Sequence, residues 1–211
     1  NVFVTGTTFG ALTGSNYGSS DIFVVKYNSS GVQQWVQQLG TSSEEVGYGI
    51  TVDSNNYIYI TGYTKGNPWD VTGNDDNETN SGNSDAFILK YYDNSTYSYS
   101  PLNWTTLLGS SNAEVGRSIA RDSSNNLYVT GDNGTTSGDY DAFLSKYNSS
   151  GVLQWTSDIS SSYAEYGYGV VVNSDGYIYL VGNTGGDLDN NTNSGEQDVF
   201  LFKYSSSGIK Q

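Results

Sequence analysis

The chain alternates short runs of aromatic and β-branched residues with stretches rich in Gly, Asn, Ser and Asp, and the runs recur. One pattern, Asp-x-Phe-x-x-Lys-Tyr, stands at 21–27, 85–91, 141–147 and 198–204. A second, ending in Gly, precedes each copy: Val2 to Gly6, Tyr57 to Gly62, Leu127 to Gly131 and Tyr177 to Gly182. The aspartates of the first pattern are 64, 56 and 57 residues apart. Apolar runs this short, bounded by turn residues, predict strands. A repeat of that length built from strands predicts propeller blades.

Gly169 to Asn173 reads as the first strand of a cycle, and Ser174-Asp175-Gly176 as a tight turn of type I′, which Asp-Gly favours. Tyr177 to Val181 is the second strand. A variable loop leads to the third, Asp198 to Tyr204. In the first three copies a fourth follows, carrying Trp35, Trp104 or Trp155. The third strand is apolar on both faces, with Phe200 and Phe202 on one and Val199 and Leu201 on the other. A sheet solvated on one side would alternate apolar with polar, so each sheet is expected to lie between two others. The small residues of Gly47-Tyr48-Gly49, Gly116-Arg117-Ser118 and Gly167-Tyr168-Gly169 are expected just before the innermost strand, where backbones crowd.

The strand order, the Lys-Tyr pair, the Trp, the Glu-x-Gly and the Asp-x-x-x-Tyr-Ile-Tyr-x-Thr-Gly signature resemble the SBBP-type β-propeller repeat. The resemblance covers nearly the whole chain and implies a secreted or surface protein. Long insertions at 63–84, 92–101 and 183–197 depart from the pattern. The expected fold is all-β: a propeller or propeller-like arc of four-stranded antiparallel blades, two complete and two incomplete. Residues 1–211 form one such segment, expected to belong to a longer chain or to be completed by a neighbouring subunit.

Composition narrows the chemistry. Cys, His and Met are absent. That removes disulfides, thiol nucleophiles and the commonest general base and transition-metal ligand. The net charge is −14 with 8 Lys and Arg, which disfavours nucleic acid and anionic membranes as partners. No apolar run is long enough for a membrane-spanning helix.

Several residues are candidates for more than packing. Tyr48, Arg117 and Tyr168 hold equivalent repeat positions and are expected together on one axial face, where propellers bind ligands. Trp69 is the one Trp outside the repeat and a candidate stacking residue. Asp75, Asp76, Asp187 and Asp189 lie in acidic insertions and supply the hard oxygens that calcium takes. Asp21, Asp85, Asp141 and Asp198 are read as acceptors within their own turns. Lys26, Lys90, Lys146 and Lys203 are read as structural, paired with acids such as Glu45, Glu114 or Glu165. Sequons at Asn28, Asn77, Asn94, Asn133, Asn148 and Asn190 are candidate glycosylation sites.

The function expected from these readings is a non-catalytic, extracellular structural or adhesive module of a surface layer, sheath or appendage. Its partners would be other protein subunits or cell-surface glycans. The alternative is a carbohydrate-binding, lectin-like propeller, with calcium as its possible cofactor. Asn28, Asn94 and Asn148 recur at one turn between third and fourth strands, so in a glycosylating source they should carry sugar before the other sequons. Intact-glycopeptide mass spectrometry of native material checks this; bare Asn at these turns with sugar elsewhere would reverse the order.

Overall fold

The computed structural model describes residues 1–67, 79–93, 102–134 and 139–211. They form fourteen strands in four antiparallel sheets, with no helix among the described residues. Blade 1 is β1 (Val2–Thr8), β2 (Asp21–Tyr27) and β3 (Gln33–Leu39). Blade 2 is β4 (Glu45–Val52), β5 (Tyr57–Thr64), β6 (Asp85–Tyr92) and β7 (Leu102–Leu108). Blade 3 is β8 (Glu114–Arg121), β9 (Leu127–Gly134), β10 (Tyr140–Tyr147) and β11 (Leu153–Ile159). Blade 4 is β12 (Glu165–Val172), β13 (Ile178–Thr184) and β14 (Asp198–Tyr204). Every blade is a simple meander in chain order. The sheets form an unclosed arc of two complete and two three-stranded blades. In blade 4 the tail begins a further strand: Lys210 bridges to Tyr204, and the Gln211 amide donates to the Lys203 carbonyl at 2.8 Å.

The tight turns are built alike. Gly31, Gly151 and Gly208 between third and fourth strands, and Gly176 between first and second, have φ of 75°, 84°, 84° and 80°. Asn56 and Asn125 take the same left-handed position in the other inner hairpins. In each, the residue three earlier accepts from that left-handed residue's amide, as Asn173 does from Gly176 at 3.1 Å. This is a type I turn closed by one left-handed residue, not the expected type I′ turn, because Asp175 does not enter the positive-φ region. The side chain of Asp53, Asp122, Asn148 or Asn173 locks its loop by accepting from amides two and four residues on.

Packing between blades is face to face, with β4 lying between β1 and β8, and β8 between β4 and β12. Ile22 and Val24 of blade 1 join Ile58, Ile60, Phe87, Leu89 and Tyr91 of blade 2 in one core. Equivalent cores lie between blades 2 and 3 and between blades 3 and 4. The third strands of blades 1 to 3 are buried on both faces as the sequence pattern requires, whereas β14, with no further blade beyond it among residues 1–211, exposes Val199 and Leu201. Trp35, Trp104 and Trp155 pack against these cores from the outer strands.

A polar strap reinforces each joint. Lys26 Nζ lies 2.5 Å from Asp93, with both side chains almost wholly buried. Lys90 donates to the Ser149 carbonyl at 3.1 Å and Lys146 to the Ser206 carbonyl at 2.8 Å. Each acceptor is the second residue after the Tyr of the next blade's third strand. The expected pairing with Glu45, Glu114 and Glu165 is therefore corrected. Glu45 pairs across from Thr64 at one end of β5, whereas Lys90 stands opposite Tyr59 near the other. The glutamates instead accept from the amides and hydroxyls of Thr41, Ser110 and Ser161, four residues before them. Asp21, Asp85 and Asp198 do the same with the amides of Tyr17, Ser81 and Ser194, in keeping with their turn reading.

Glycine is obligatory where β4 and β5 meet. A Cβ on Gly62 would stand 1.8 Å from the Val46 carbonyl oxygen, while one on Gly10 meets nothing within 4 Å. Gly62→Ala should cost about 3 kcal/mol or more and Gly10→Ala about 0.5 or less. Denaturant unfolding of both variants checks this; equal midpoints would show that the strands separate freely.

Candidate binding face at the bulged inner strands

Each inner strand of blades 2 to 4 carries one extra residue. The register jumps from Gly47 to Gly49, from Gly116 to Ser118 and from Gly167 to Gly169. The residues left unpaired are Tyr48, Arg117 and Tyr168. They sit inside the strands at β-bulges, not before the strands as expected, and a bulge re-aims the side chain it carries. Close approach fixes the place. Added Cβ atoms on Gly47, Gly116 and Gly167 would meet the Thr5, Thr61 and Thr130 hydroxyls of the preceding blade within 3 Å.

The structure brings these three residues together around Arg117. Its guanidinium carbon lies 5.9 Å from the centre of the Tyr48 ring, 5.4 Å from Tyr168 and 5.8 Å from Tyr166. Its Nε donates to Asp132. No other hydrogen bond from Arg117 is formed with the described residues, so the Nη end lies among rings. Tyr166 and Tyr168 stack at 6.2 Å, and Tyr140 continues the stack at 5.6 Å from Tyr166. On the other side Tyr63 lies 6.3 Å from Tyr48 and donates to Glu44, which also holds Lys65. Tyr48 and Tyr168 remain about half exposed. The result is a strip of rings across three blades with one cation at its centre. Such a surface stacks flat apolar faces and donates hydrogen bonds at one point.

Electrostatics hold the cation in place. Burial pulls Arg117 down, but the hydrogen bond and charge of Asp132 outweigh it and keep the guanidinium charged. Burial raises the Asp132 carboxyl above its ordinary value, with Arg117 offsetting part of the rise.

Asp132, Tyr63, Tyr140 and Tyr166 are absent from the residues expected here. A signal for Asp132 and Tyr63 exists in the repeat itself. They hold one position, just after the Gly of the second strand, and pair across from Val115 and Val46 respectively, two residues before Arg117 and Tyr48. Comparing copies across the hairpin pairs the cation with the acid.

The other candidates do not join this face. Asp189 pairs with Lys210 at 2.5 Å and Asp187 accepts from the Asn193 amide at 2.8 Å. Among the described residues no group of three or more acidic side chains gathers. The carboxylates expected to serve calcium there are thus engaged in holding their loop and the tail. Asn28 and Asn148 stand at their turns, each amide oxygen bound to two backbone amides. Asn190 is exposed at a two-residue turn, but Asn133 lies within β9 with its amide oxygen buried. Trp69, Asp75, Asp76, Asn77 and Asn94 lie outside the described residues.

Two stretches, 34–69 and 103–141, match the family model for the SBBP β-propeller repeat. These two segments carry the SBBP-type β-propeller repeat. Both matched stretches run from a Trp-bearing outer strand through the next inner hairpin, so the family unit spans a blade boundary. An uncharacterized WD repeat-containing protein of Acanthamoeba polyphaga mimivirus is 25% identical over 204 residues, covering 79% of this chain. The chain spans 14% of that relative's length.

Burial also raises the carboxyls of Asp85, Glu114 and Asp141 above their ordinary values, as it does Asp132. Glu44 alone is lowered, by hydrogen bonds from Tyr63 and Lys65. Raised acids bind protons more tightly in the folded state. Their cost is full above their folded values and vanishes below about 4, so stability should rise as pH falls from neutral toward about 4. Thermal midpoints of the protein should increase as pH falls across this window, and Asp132→Asn should flatten part of the slope. A midpoint that falls throughout would contradict the burial argument.

Proposed function

We propose that this chain is a non-catalytic structural or adhesive module that works outside the cell or at its surface. The observation that carries the reading is where the repeated ionisable residues go. The lysines of blades 1 to 3 strap one blade to the next, and Glu45, Glu114 and Glu165 hold the loops that enter the inner strands. These groups serve architecture. The strip of tyrosines around Arg117 is the contact surface that remains, and other protein subunits are its proposed partners.

A second reading draws on the same strip. Half-exposed Tyr48 and Tyr168 flanking a guanidinium are suited to stacking a sugar ring and binding its hydroxyls or carboxylate. This favours cell-surface glycans as ligands.

One set of variants separates the two. Lys90→Met and Lys146→Met should lower the unfolding midpoint, since each leaves a joint without its strap. Tyr168→Ala and Arg117→Gln should leave the fold intact. On an immobilised polysaccharide panel, retention of the wild type that Tyr168→Ala abolishes would establish the lectin reading. No retention, together with destabilisation by the lysine variants, supports the structural one. Unchanged stability in both lysine variants would remove its basis.

A further inference from the structure

The joint between blades 2 and 3 is hollow where the joint between blades 1 and 2 is filled. In blade 2 the third strand turns Phe87, Leu89 and Tyr91 back toward blade 1, and all three join the shared core. The equivalent residues of blade 3 are Phe143, Ser145 and Tyr147, so a hydroxymethyl group stands where blade 2 has an isobutyl group. Blade 4 has Phe202 at that position. The outer strands differ in the same direction. Leu107 pairs across from Phe87, whereas Asp158 pairs across from Phe143. Leu102, opposite Tyr91, is 9% exposed, whereas Leu153, opposite Tyr147, is 52% exposed. The space left by these changes is a cavity of about 340 Å³. Thr106, Leu108 and Ser110 of blade 2 form its facing wall. Both walls belong to blades that have a neighbour on each side. The volume falls at the small end of the range for small-molecule sites.

The lining is polar in a one-sided way. In blades 2 and 4 the residue opposite the buried Glu of the inner strand is Thr64 or Thr184, and its hydroxyl donates to that Glu at 3.0 or 2.7 Å. In blade 3 the residue opposite Glu114 is Asn133. Its amide oxygen is buried and meets no hydrogen-bond partner among the described residues. A buried acceptor left without a donor is costly, and a ligand donor would relieve it. Asp158 is exposed and lines the same cavity. Asn133 on β9 and Asp158 on β11 flank Phe143 on the strand between them. Among the described residues, no Lys or Arg lines the space. The cavity thus offers an acceptor at each side of an apolar floor, one of them a carboxylate with no cation of the protein beside it.

We propose that this cavity binds a small organic cation with an ammonium group at one end, an apolar middle and a hydrogen-bond donor at the other end. The ammonium group pairs with Asp158, the middle lies against Leu108, Phe143 and Leu153, and the donor satisfies the Asn133 amide oxygen. Anions are disfavoured by the carboxylates of Asp158 and Glu114. The site lies among the third and outer strands and uses none of the residues of the tyrosine strip around Arg117, so it stands apart from the readings of that strip.

Tyramine has the required form and serves as the probe, with titration calorimetry or saturation-transfer NMR as the readout. It should bind with a Kd of about 1 mM or tighter. Phenethylamine, which lacks the hydroxyl donor, should bind at least threefold more weakly. 4-Hydroxyphenylpropanoate, which reverses the charge, should bind at least tenfold more weakly. Asp158→Asn, at an exposed strand position, should weaken tyramine at least fivefold. Ser145→Leu restores the side chain that blade 2 carries and should abolish binding while circular dichroism shows the sheets retained. Should that variant fail to fold, Asp158→Asn decides alone. Arg117→Gln should leave the affinity unchanged. Absence of tyramine binding up to about 10 mM would overturn the proposal. So would equal binding of the reversed-charge analogue, or an affinity that Asp158→Asn leaves unchanged.

Discussion

Each sheet in this molecule depends on the neighbour that covers it. A three- or four-stranded sheet with apolar side chains on both faces has no solvated side to turn outward, and it draws its stability from the neighbours that cover it. The joint between blades therefore decides the rest. It requires glycine where the inner strand meets the threonine of the preceding blade, and it forces the bulge that follows. It turns lysine, a residue that seldom tolerates burial, into a strap anchored on the next blade's turn. The acidic caps at the loop ends act at the same joints, since they fix the chain as it crosses from one sheet to the next.

The candidate binding face is a by-product of that constraint. A bulge is the local answer to two backbones that approach too closely for a side chain. Once an extra residue is present in each inner strand, its side chain leaves the regular pleat. In three successive blades these residues are Tyr, Arg and Tyr, and they meet because their strands are neighbours around the inner edge of the arc. Arg117 gains a buried partner in Asp132 and three aromatic walls, which fixes a flexible side chain at the centre of a rigid strip. Packing and recognition share the same few residues.

Much of the fold was legible because strand periodicity and repetition are properties of the chain itself. The two-faced runs at 21–27, 85–91, 141–147 and 198–204 announced a stack, and Asp21, Asp85 and Asp198 capped their turns as read. Contacts between blades were harder to read. Lys90 and Ser149 are 59 residues apart, and nothing local to Lys90 distinguishes a carbonyl in the next blade from an acid in its own. The position of Arg117 was legible, but the bulge was not, because the glycines beside it equally suit a strand entry. Tyr166 and Tyr140 carry no sequence signal of their own. They join the strip only through the stacking of blades 3 and 4.

A stack in which each unit touches only its neighbours distributes stability unevenly. Within residues 1–211, blades 2 and 3 are covered on both faces, while blades 1 and 4 each have one face uncovered. Opening then begins at the extremities and moves inward, so amide hydrogens of β1 and β14 should exchange with solvent well before those of β5 and β9. Under tension along the arc the outer blades would peel away first and leave the central pair folded. Taken as an isolated segment, residues 1–211 should be firmest at blades 2 and 3, where the aromatic strip crosses from one covered sheet to the next.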